Sequence, residues 1–307
     1  MAIVTGIEWV LFGVLGLLWG SSFMWIKIAV GELGPFAVVG WRLLFGVAGM
    51  LLVILFRRPP WPRWGRDYRN LVLLGIINTA LPFILITWGE QTVDSAVASV
   101  LNSTVPLFTL IIAHYALADD RMTLRRVVGL SVGFVGVLIL MSRDLTFGQG
   151  GGLLGQLAIL VAALSYACGG VFARRTMRHV DPYIQTFVPM LAAGMLVWAM
   201  AIPREAPDLL PTLPISWLAV AWLGLLGSCL AYLLFFILLH RVGPTRTSLV
   251  TYLIAMVGVV LGVVFLGETF DWRLGMGAAA VIIGIGIVNR QGRQPGPALP
   301  SAERAVG

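Results

Sequence analysis

Apolar residues along this chain come in long unbroken runs rather than in alternation. Windows bounded by charges and by Pro/Gly clusters fall near residues 9–30, 36–56, 71–88, 95–117 and 124–142, then 153–173, 182–202, 216–239, 247–267 and 274–289. Each is close to the span of about 20 residues that lets a helix cross a hydrocarbon core. Membrane strands alternate polarity over about ten residues, whereas these runs are longer and uniformly apolar. A helix, which satisfies its own backbone hydrogen bonds, is the option left. The pattern predicts an all-α membrane protein of ten transmembrane helices with short connections.

Composition agrees. Of 307 residues, 59% are hydrophobic and only 11% charged, where soluble domains carry about 25% charged residues. Mean hydropathy is +0.93. A soluble globule and a membrane-tethered soluble enzyme are both excluded, and no connection is long enough to form the domain a receptor or scaffold needs. The formal net charge of +7 reads as topology rather than as nucleic-acid binding. With ten spans both termini share a side, and that side collects Arg57, Arg58, Arg63, Arg66, Arg69, Arg121, Arg125, Arg126, Arg174, Arg175, Arg178, Arg241, Arg246, Arg290, Arg293 and Arg304, sixteen of the 21 basic residues. The positive-inside rule makes that side cytoplasmic. The first span, after an N-terminus without Lys or Arg, reads as retained rather than as a signal peptide. Cys168 and Cys229 lie within apolar runs, where neither a disulfide scaffold nor a zinc site is expected. No metal or cofactor is called for.

Sliding the second half over the first by 147 to 148 positions brings landmarks together. Lys27, Pro35 and Phe36 fall on Arg174, Pro182 and Tyr183, and Asp120, Arg125, Gly129 and Gly136 fall on Glu268, Arg273, Gly277 and Gly284. One offset serves both ends of a five-helix unit. Five being odd, the second copy enters the membrane from the opposite side, which predicts two inverted five-helix repeats around a central cavity, an arrangement of transporters. The expected divisions are residues 1–148, 149–290 and a disordered cytoplasmic tail, 291–307.

Few polar groups interrupt the spans. Lys27, Arg42 and His114 are the strongly ionisable ones, and intramembrane charge points to function by default. Lys27 lies roughly 27 Å along the first helix, near the outer surface, with Arg42 one to two turns below it. Two roles are open for these outer-half basic groups: attracting a substrate carboxylate, or pairing with Glu32, Glu90, Asp94 or Glu268. No Asp or Glu falls at mid-depth, so the carboxylate relay of a proton-driven pump is missing and a facilitative carrier is expected, with His114, near a helix end, open as either a proton site or a structural residue.

Pro82, Pro106 and Pro189 each follow an amide by four positions, at Asn78, Asn102 and Gln185. A helix-interior proline frees the carbonyl four residues earlier and kinks the helix. Each is thus a hinge candidate with a free carbonyl and a side-chain amide concentrated at one place. Those groups suit a polar substrate in a cavity of apolar and aromatic walls, although the amides could equally repair the helix. Trp19 and Tyr166 match at the 147 offset and lie near mid-depth; with Tyr232 and Tyr252 they are candidate cavity walls. Gly16 and Gly20, Gly129 and Gly133, and Gly258 and Gly262 are small-xxx-small patterns that let helices approach closely.

An enzyme finds little support. The run Gly129-Leu130-Ser131-Val132-Gly133 matches a serine-elbow pattern by letter, but it lies inside an apolar helix and lacks the strand-to-helix turn that the motif requires. Zinc-protease and phosphate-loop motifs are absent.

Several of these residues carry a family resemblance: Trp19-Gly20-Ser21-Ser22-Phe23 with Lys27, the stretch from Pro35 to Arg42, Ser103-Thr104-Val105-Pro106-Leu107-Phe108, Asp120 with Gly129 and Gly136, and Leu266-Gly267-Glu268 with Gly277 and Gly284. Over about residues 9–289 the chain resembles EamA-type transporters of the drug/metabolite transporter superfamily, and within them bacterial exporters of aromatic amino acids. It departs at Ala118-Asp119-Asp120, where the family has Gly-Glu, and at Ile254, which stands opposite Pro106. The resemblance implies export of amino acids and similar small metabolites across the bacterial inner membrane, with a small-molecule substrate and the lipid bilayer as partners; carriage of another metabolite class, such as a drug, a nucleobase or a nucleotide sugar, is the alternative, and the oligomeric state is left open. The expected contacts are Trp19, Asn78, Asn102 and Tyr166, then Tyr232 and Tyr252.

Overall fold

In a computed structural model, residues 6–116, 123–147, 151–242, 247 and 250–289 are described. Asp119 and Asp120, together with Arg121, Arg246, Arg290 and the expected tail 291–307, lie outside the described residues. Every regular element among those described is a helix. They are α1 (Gly6–Ala29), α2 (Pro35–Arg57), α3 (Arg66–Gly89), α4 (Ser95–Ala116), α5 (Leu124–Phe147), α6 (Gly151–Thr176) and α7 (Pro182–Glu205), then α8, α9 (Val250–Leu266) and α10 (Trp272–Asn289). Helix α8 runs end to end through Pro214–Ala221, Trp222–Leu230 and Ala231–Val242. Eight helices are long and apolar enough to cross a membrane, and α9 and α10 are shorter apolar helices.

Local sequence sets the ends. Proline occupies the first turn of α2, α7 and α8, where its missing N–H costs nothing and its fixed φ suits the helix. Asp181 caps α7 by accepting the Tyr183 N–H at 2.8 Å. At the other end of α2, Arg58 adopts φ 47° and its N–H donates to the Ile54 carbonyl, and Pro59 and Pro60 then stop the helix.

Three helices are not uniform. In α3 a wider turn over Ile76–Ala80 precedes Pro82, and in α8 Trp222–Leu230 is wound the same way around Gly224 and Gly227. Helix α4 breaks at Ser103 and Thr104 into Ser95–Asn102 and Val105–Ala116, with Pro106 just past the break. By contrast, α9 runs on through Ile254, the residue opposite Pro106.

The helices pack pairwise: α5 with α10, α1 with α9, α4 with α6, α2 with α7, α3 with α6, and α1 with α8. Glycine sets the closest approach. A Cβ on Gly284 would lie 2.5 Å from the Gly133 nitrogen and 2.6 Å from the Gly129 oxygen, and one on Gly136 would lie 2.8 Å from the Gly277 oxygen. Backbone meets backbone across α5 and α10, so any side chain at these positions must push the pair apart. The remaining interior is apolar, with Leu15, Leu101, Leu107, Ile159 and Leu223 fully buried in the largest cluster.

Candidate functional site

Between the packed helices lies a cavity of about 490 Å³, within the usual range for small-molecule sites. Helix α1 faces it with Trp19, Ser22, Phe23 and Ile26, and α6 with Tyr166, Gly169, Gly170 and Ala173. Both sets follow the i, i+3, i+4, i+7 spacing of one helix face, and each residue of the first has its counterpart 147 positions on in the second, as Trp19 has Tyr166. Helix α8 adds Tyr232, Phe235 and Phe236. Trp19 meets Tyr232 edge-on at 5.9 Å between ring centres and lies 5.6 Å from Phe235. Three aromatic rings from two helices therefore form one wall.

The amides of all three amide–proline sites line this cavity. Asn78, in the wide turn of α3, leans on α6, where a Cβ added to Gly169 would lie 2.5 Å from its Oδ1. Ser165 of α6 donates its hydroxyl to the Ile77 carbonyl in the same turn. Asn102, at the break in α4, lines the cavity and its buried Oδ1 has no hydrogen-bond partner among the described residues. An unpartnered buried acceptor is costly to leave so, and a ligand donor would relieve that cost. Gln185 also lines the cavity, but its amide nitrogen donates to the Met177 and Val180 carbonyls at 2.7 Å each and holds the α6–α7 turn. Of the three prolines, Pro82 follows the wide turn and Pro106 the break in α4. Pro189 lies inside α7, where its carbonyl oxygen approaches the position of a Gly75 Cβ to 2.5 Å.

Arg42 is the charged residue among the described lining. It is only 7% exposed. Its Nε donates to Ser228 Oγ at 3.0 Å, its guanidinium carbon sits 3.8 Å over the Phe83 ring, and no carboxylate lies within ion-pair distance among the described residues. Lys27 is spent differently. Its ammonium donates to the Glu90 and Val93 carbonyls at 2.7 and 2.8 Å, tying α1 to the α3–α4 turn. The two cations thus have separate roles: Lys27 is bound to backbone, and Arg42 faces the cavity with no carboxylate at ion-pair distance among the described residues.

Tyr252 is placed off the cavity. It packs half-buried on the main apolar cluster, with its hydroxyl 3.5 Å from where a Gly286 Cβ would be, while Thr251 and Ile254 take the cavity face. One residue rotates a helix face by about 100°, and a uniformly apolar run such as α9 carries no periodicity that sets its rotation. Phe23, Phe235, Phe236 and Thr251 were not foreseen. The helical spacing from Trp19 and Tyr232 would have found the first three. His114 is not among the lining residues and lies beside Tyr115 near the end of α4.

At the Lys27 end three carboxylates tie the two halves of the chain together. Glu32 accepts hydrogen bonds from the Thr212 N–H, from the Thr212 hydroxyl at 2.6 Å and from the Leu213 N–H at 3.1 Å, at the start of α8. Glu205 accepts the Phe36 and Ala37 N–H groups at 3.0 and 2.7 Å, at the start of α2. Glu268 accepts those of Ser95 and Ala96 at 2.6 and 2.9 Å, at the start of α4. Each carboxylate thus sits on the N-terminus of a helix from the other half of the chain, where unsatisfied N–H groups and the helix dipole favour negative charge. The Ser216 hydroxyl also faces Glu32, outside strict hydrogen-bond geometry. With those of Thr212 it holds the Glu32 carboxyl at about 2, against an ordinary 4.5.

Comparison with known proteins agrees with this architecture. A family model described as the EamA-like transporter family matches residues 7–142 and again 153–290. The inner membrane transporter YedA of Escherichia coli K12 is 33% identical over 284 residues, covering 89% of this chain and 90% of its own. The transporter YoaV of Bacillus subtilis is 24% identical over 279 residues, covering 90% and 95%. A protein crystal structure shares the fold with a TM-score of 0.66 at 20% identity, covering 92% of this chain and 96% of its own. The eight long apolar helices, the double family match and these relatives make this a multi-pass membrane transporter, and the chain belongs to the EamA-like transporter family.

Proposed function

We propose that this transporter exports amino acids and related small metabolites across the bacterial inner membrane, by facilitative alternating access between two inverted five-helix repeats. The observation that carries the substrate class is Arg42, a cation without an anion on an aromatic-walled cavity that also holds the unpartnered Asn102 carbonyl. A guanidinium recognises a carboxylate, the Asn102 oxygen accepts from an ammonium, and the walls of Trp19, Tyr166, Tyr232 and Phe235 take an apolar or aromatic side chain. Phosphorylated substrates fit less well, since they call for several cations where the described lining has one.

The inverted-repeat reading is supported by two correspondences. The cavity faces of α1 and α6 match residue for residue, and at the α5–α10 crossing Gly129 meets Gly284 while Gly136 meets Gly277. At an offset of 148 those two contacts exchange, as a two-fold axis between repeats requires. By the positive-inside rule the Lys27 end faces outward, with the carboxylate contacts between the two halves as its closure, and the hinges at Pro82, Pro106 and Pro189 accommodate the rocking.

Reconstituted protein, tested with labelled amino acids, nucleobases and nucleotide sugars, is expected to give saturable flux of amino acids above empty liposomes. Flux of nucleotide sugars alone would remove the substrate assignment.

A further inference from the structure

Glu90 stands in the turn after α3, outside the span, yet its side chain is 0% exposed. Neither carboxylate oxygen has a hydrogen-bond donor among the described residues. This differs from Glu32, Glu205 and Glu268, each of which holds backbone N–H groups at the same end of the bundle. The obvious partner is turned away: the Lys27 ammonium donates to the carbonyls of Glu90 and Val93, not to the carboxylate.

The charged side chains facing Glu90 are Lys27 from α1, Arg42 from α2 and Glu268 from the α9–α10 turn. Helix α6 meets the preceding Gly89 through Gly155 and Ile159, which carry neither charge nor titratable group. The two cations favour an ionised carboxylate, while Glu268 and burial oppose it. Burial without a single donor is the largest effect and raises the carboxyl's affinity for a proton above the ordinary carboxylate range.

We infer that Glu90 is a proton-binding site of the outer closure, occupied while that end is shut and emptied to the outer side as it opens. The balance is simple. On opening, the O–H bond of the acid breaks, the proton passes to water and the carboxylate is hydrated; on closing, one proton from the outer medium returns. Proton uptake and release face the same side, so no proton crosses the membrane and transport stays facilitative, with outer pH setting how readily the carrier opens outward.

The sign follows from linkage. Opening releases a proton, so higher outer pH favours the open form, by up to about tenfold in the open-to-closed ratio per pH unit between the carboxyl's two proton affinities. The Glu32 carboxylate acts oppositely, since its value is lowered by the contacts at the start of α8 and acid would weaken them. A trend with alkaline opening is therefore assigned to Glu90 and not to Glu32.

This inference rests on the alternating-access reading, but neither test uses a transported solute, so its failure is distinct from failure of the amino-acid assignment. The first test is the infrared difference between lipid-reconstituted wild type and Glu90→Gln at neutral pH, which is expected to contain the carbonyl stretch of a protonated carboxyl. Carboxylate bands alone would overturn the proposal. The second places nitroxides at Trp88→Cys and Phe270→Cys, 44% and 61% exposed in the native chain, on a Cys168→Ser background, and follows their distance against pH. These positions flank the Glu268 contact with α4. The longer distance is expected to gain population with rising pH in the otherwise native chain, and to stay low and pH-independent in Glu90→Gln. Should that variant not fold, a pH-independent distance in the otherwise native chain overturns the proposal by itself, as does pH dependence retained in Glu90→Gln.

Discussion

The guanidinium carbon of Arg42 lies 3.8 Å above the ring of Phe83. The ring face and the Ser228 hydroxyl orient the cation without neutralising it, which leaves its charge for a ligand. Replacing Arg42 with Met keeps much of the volume and removes the charge. A hydrogen bond to a charged group is worth about 1.5–3 kcal/mol, so affinity for an amino acid is expected to fall roughly 10- to 100-fold, while affinity for the corresponding decarboxylated amine stays level or improves. Competition binding in detergent measures both, and an equal loss for acid and amine would remove the carboxylate contact.

Asn102→Ala deletes the unpartnered carbonyl oxygen on the cavity. Flux is expected to drop with no loss of folded protein, because no hydrogen bond of that oxygen to the described residues is broken. Trp19→Ala removes the ring that meets Tyr232 and Phe235, and the preference for aromatic over small amino acids is expected to shrink. Unchanged flux in the first or an unchanged substrate ranking in the second, read in proteoliposomes, would sink that residue's assignment.

Gly284→Ala places a Cβ 2.5 Å from the Gly133 nitrogen. Backbone cannot yield as a flexible side chain does, so a loss of about 1–3 kcal/mol and a clearly lower melting temperature in detergent are expected. Gly170→Ala is the contrast. Nothing lies within 4 Å of its added Cβ, so stability should hold although the residue lines the cavity. Equal melting temperatures for the two variants would contradict the close crossing of α5 and α10.

Much of the architecture was legible because apolar run length is decided by the bilayer and needs no tertiary information. The amide–proline pattern was legible for the same local reason: a proline frees a carbonyl wherever its helix lies, and the chain bends or rewinds at Asn78 and Asn102. Rotation about each helix axis was not. Tyr252 and Thr251 are neighbours in sequence, and only packing on α10 decides which of them faces the cavity. The burial of Glu90 was hidden for a similar reason, since a carboxylate just past a helix end looks solvated until α1 and the turns beside it close over it. The wide turn at Trp222–Leu230 has no proline to announce it.

Glu32 makes the closure sensitive to strong acid. Its carboxyl is held at about 2 in the folded protein, first by the Ser216 and then by the Thr212 hydroxyl, against 4.5 ordinarily. A depressed value means the stabilisation is fully present above about pH 4.5 and is lost as pH falls towards 2. The difference in melting temperature between wild type and Glu32→Gln should be constant from pH 7 down to about 4.5 and close below that. A difference that persists unchanged to the lowest pH would show that the charge on Glu32 does not hold the start of α8.

Joint recognition of a carboxylate by Arg42 and an ammonium by Asn102 is tested by flux through wild-type protein in liposomes of one labelled aromatic amino acid, challenged in turn by its unlabelled self, its decarboxylated amine and its deaminated acid. Strong competition by the amino acid and much weaker competition by either half-molecule is the expected result. Equal competition by all three, or no saturable amino-acid flux from folded protein, would contradict it.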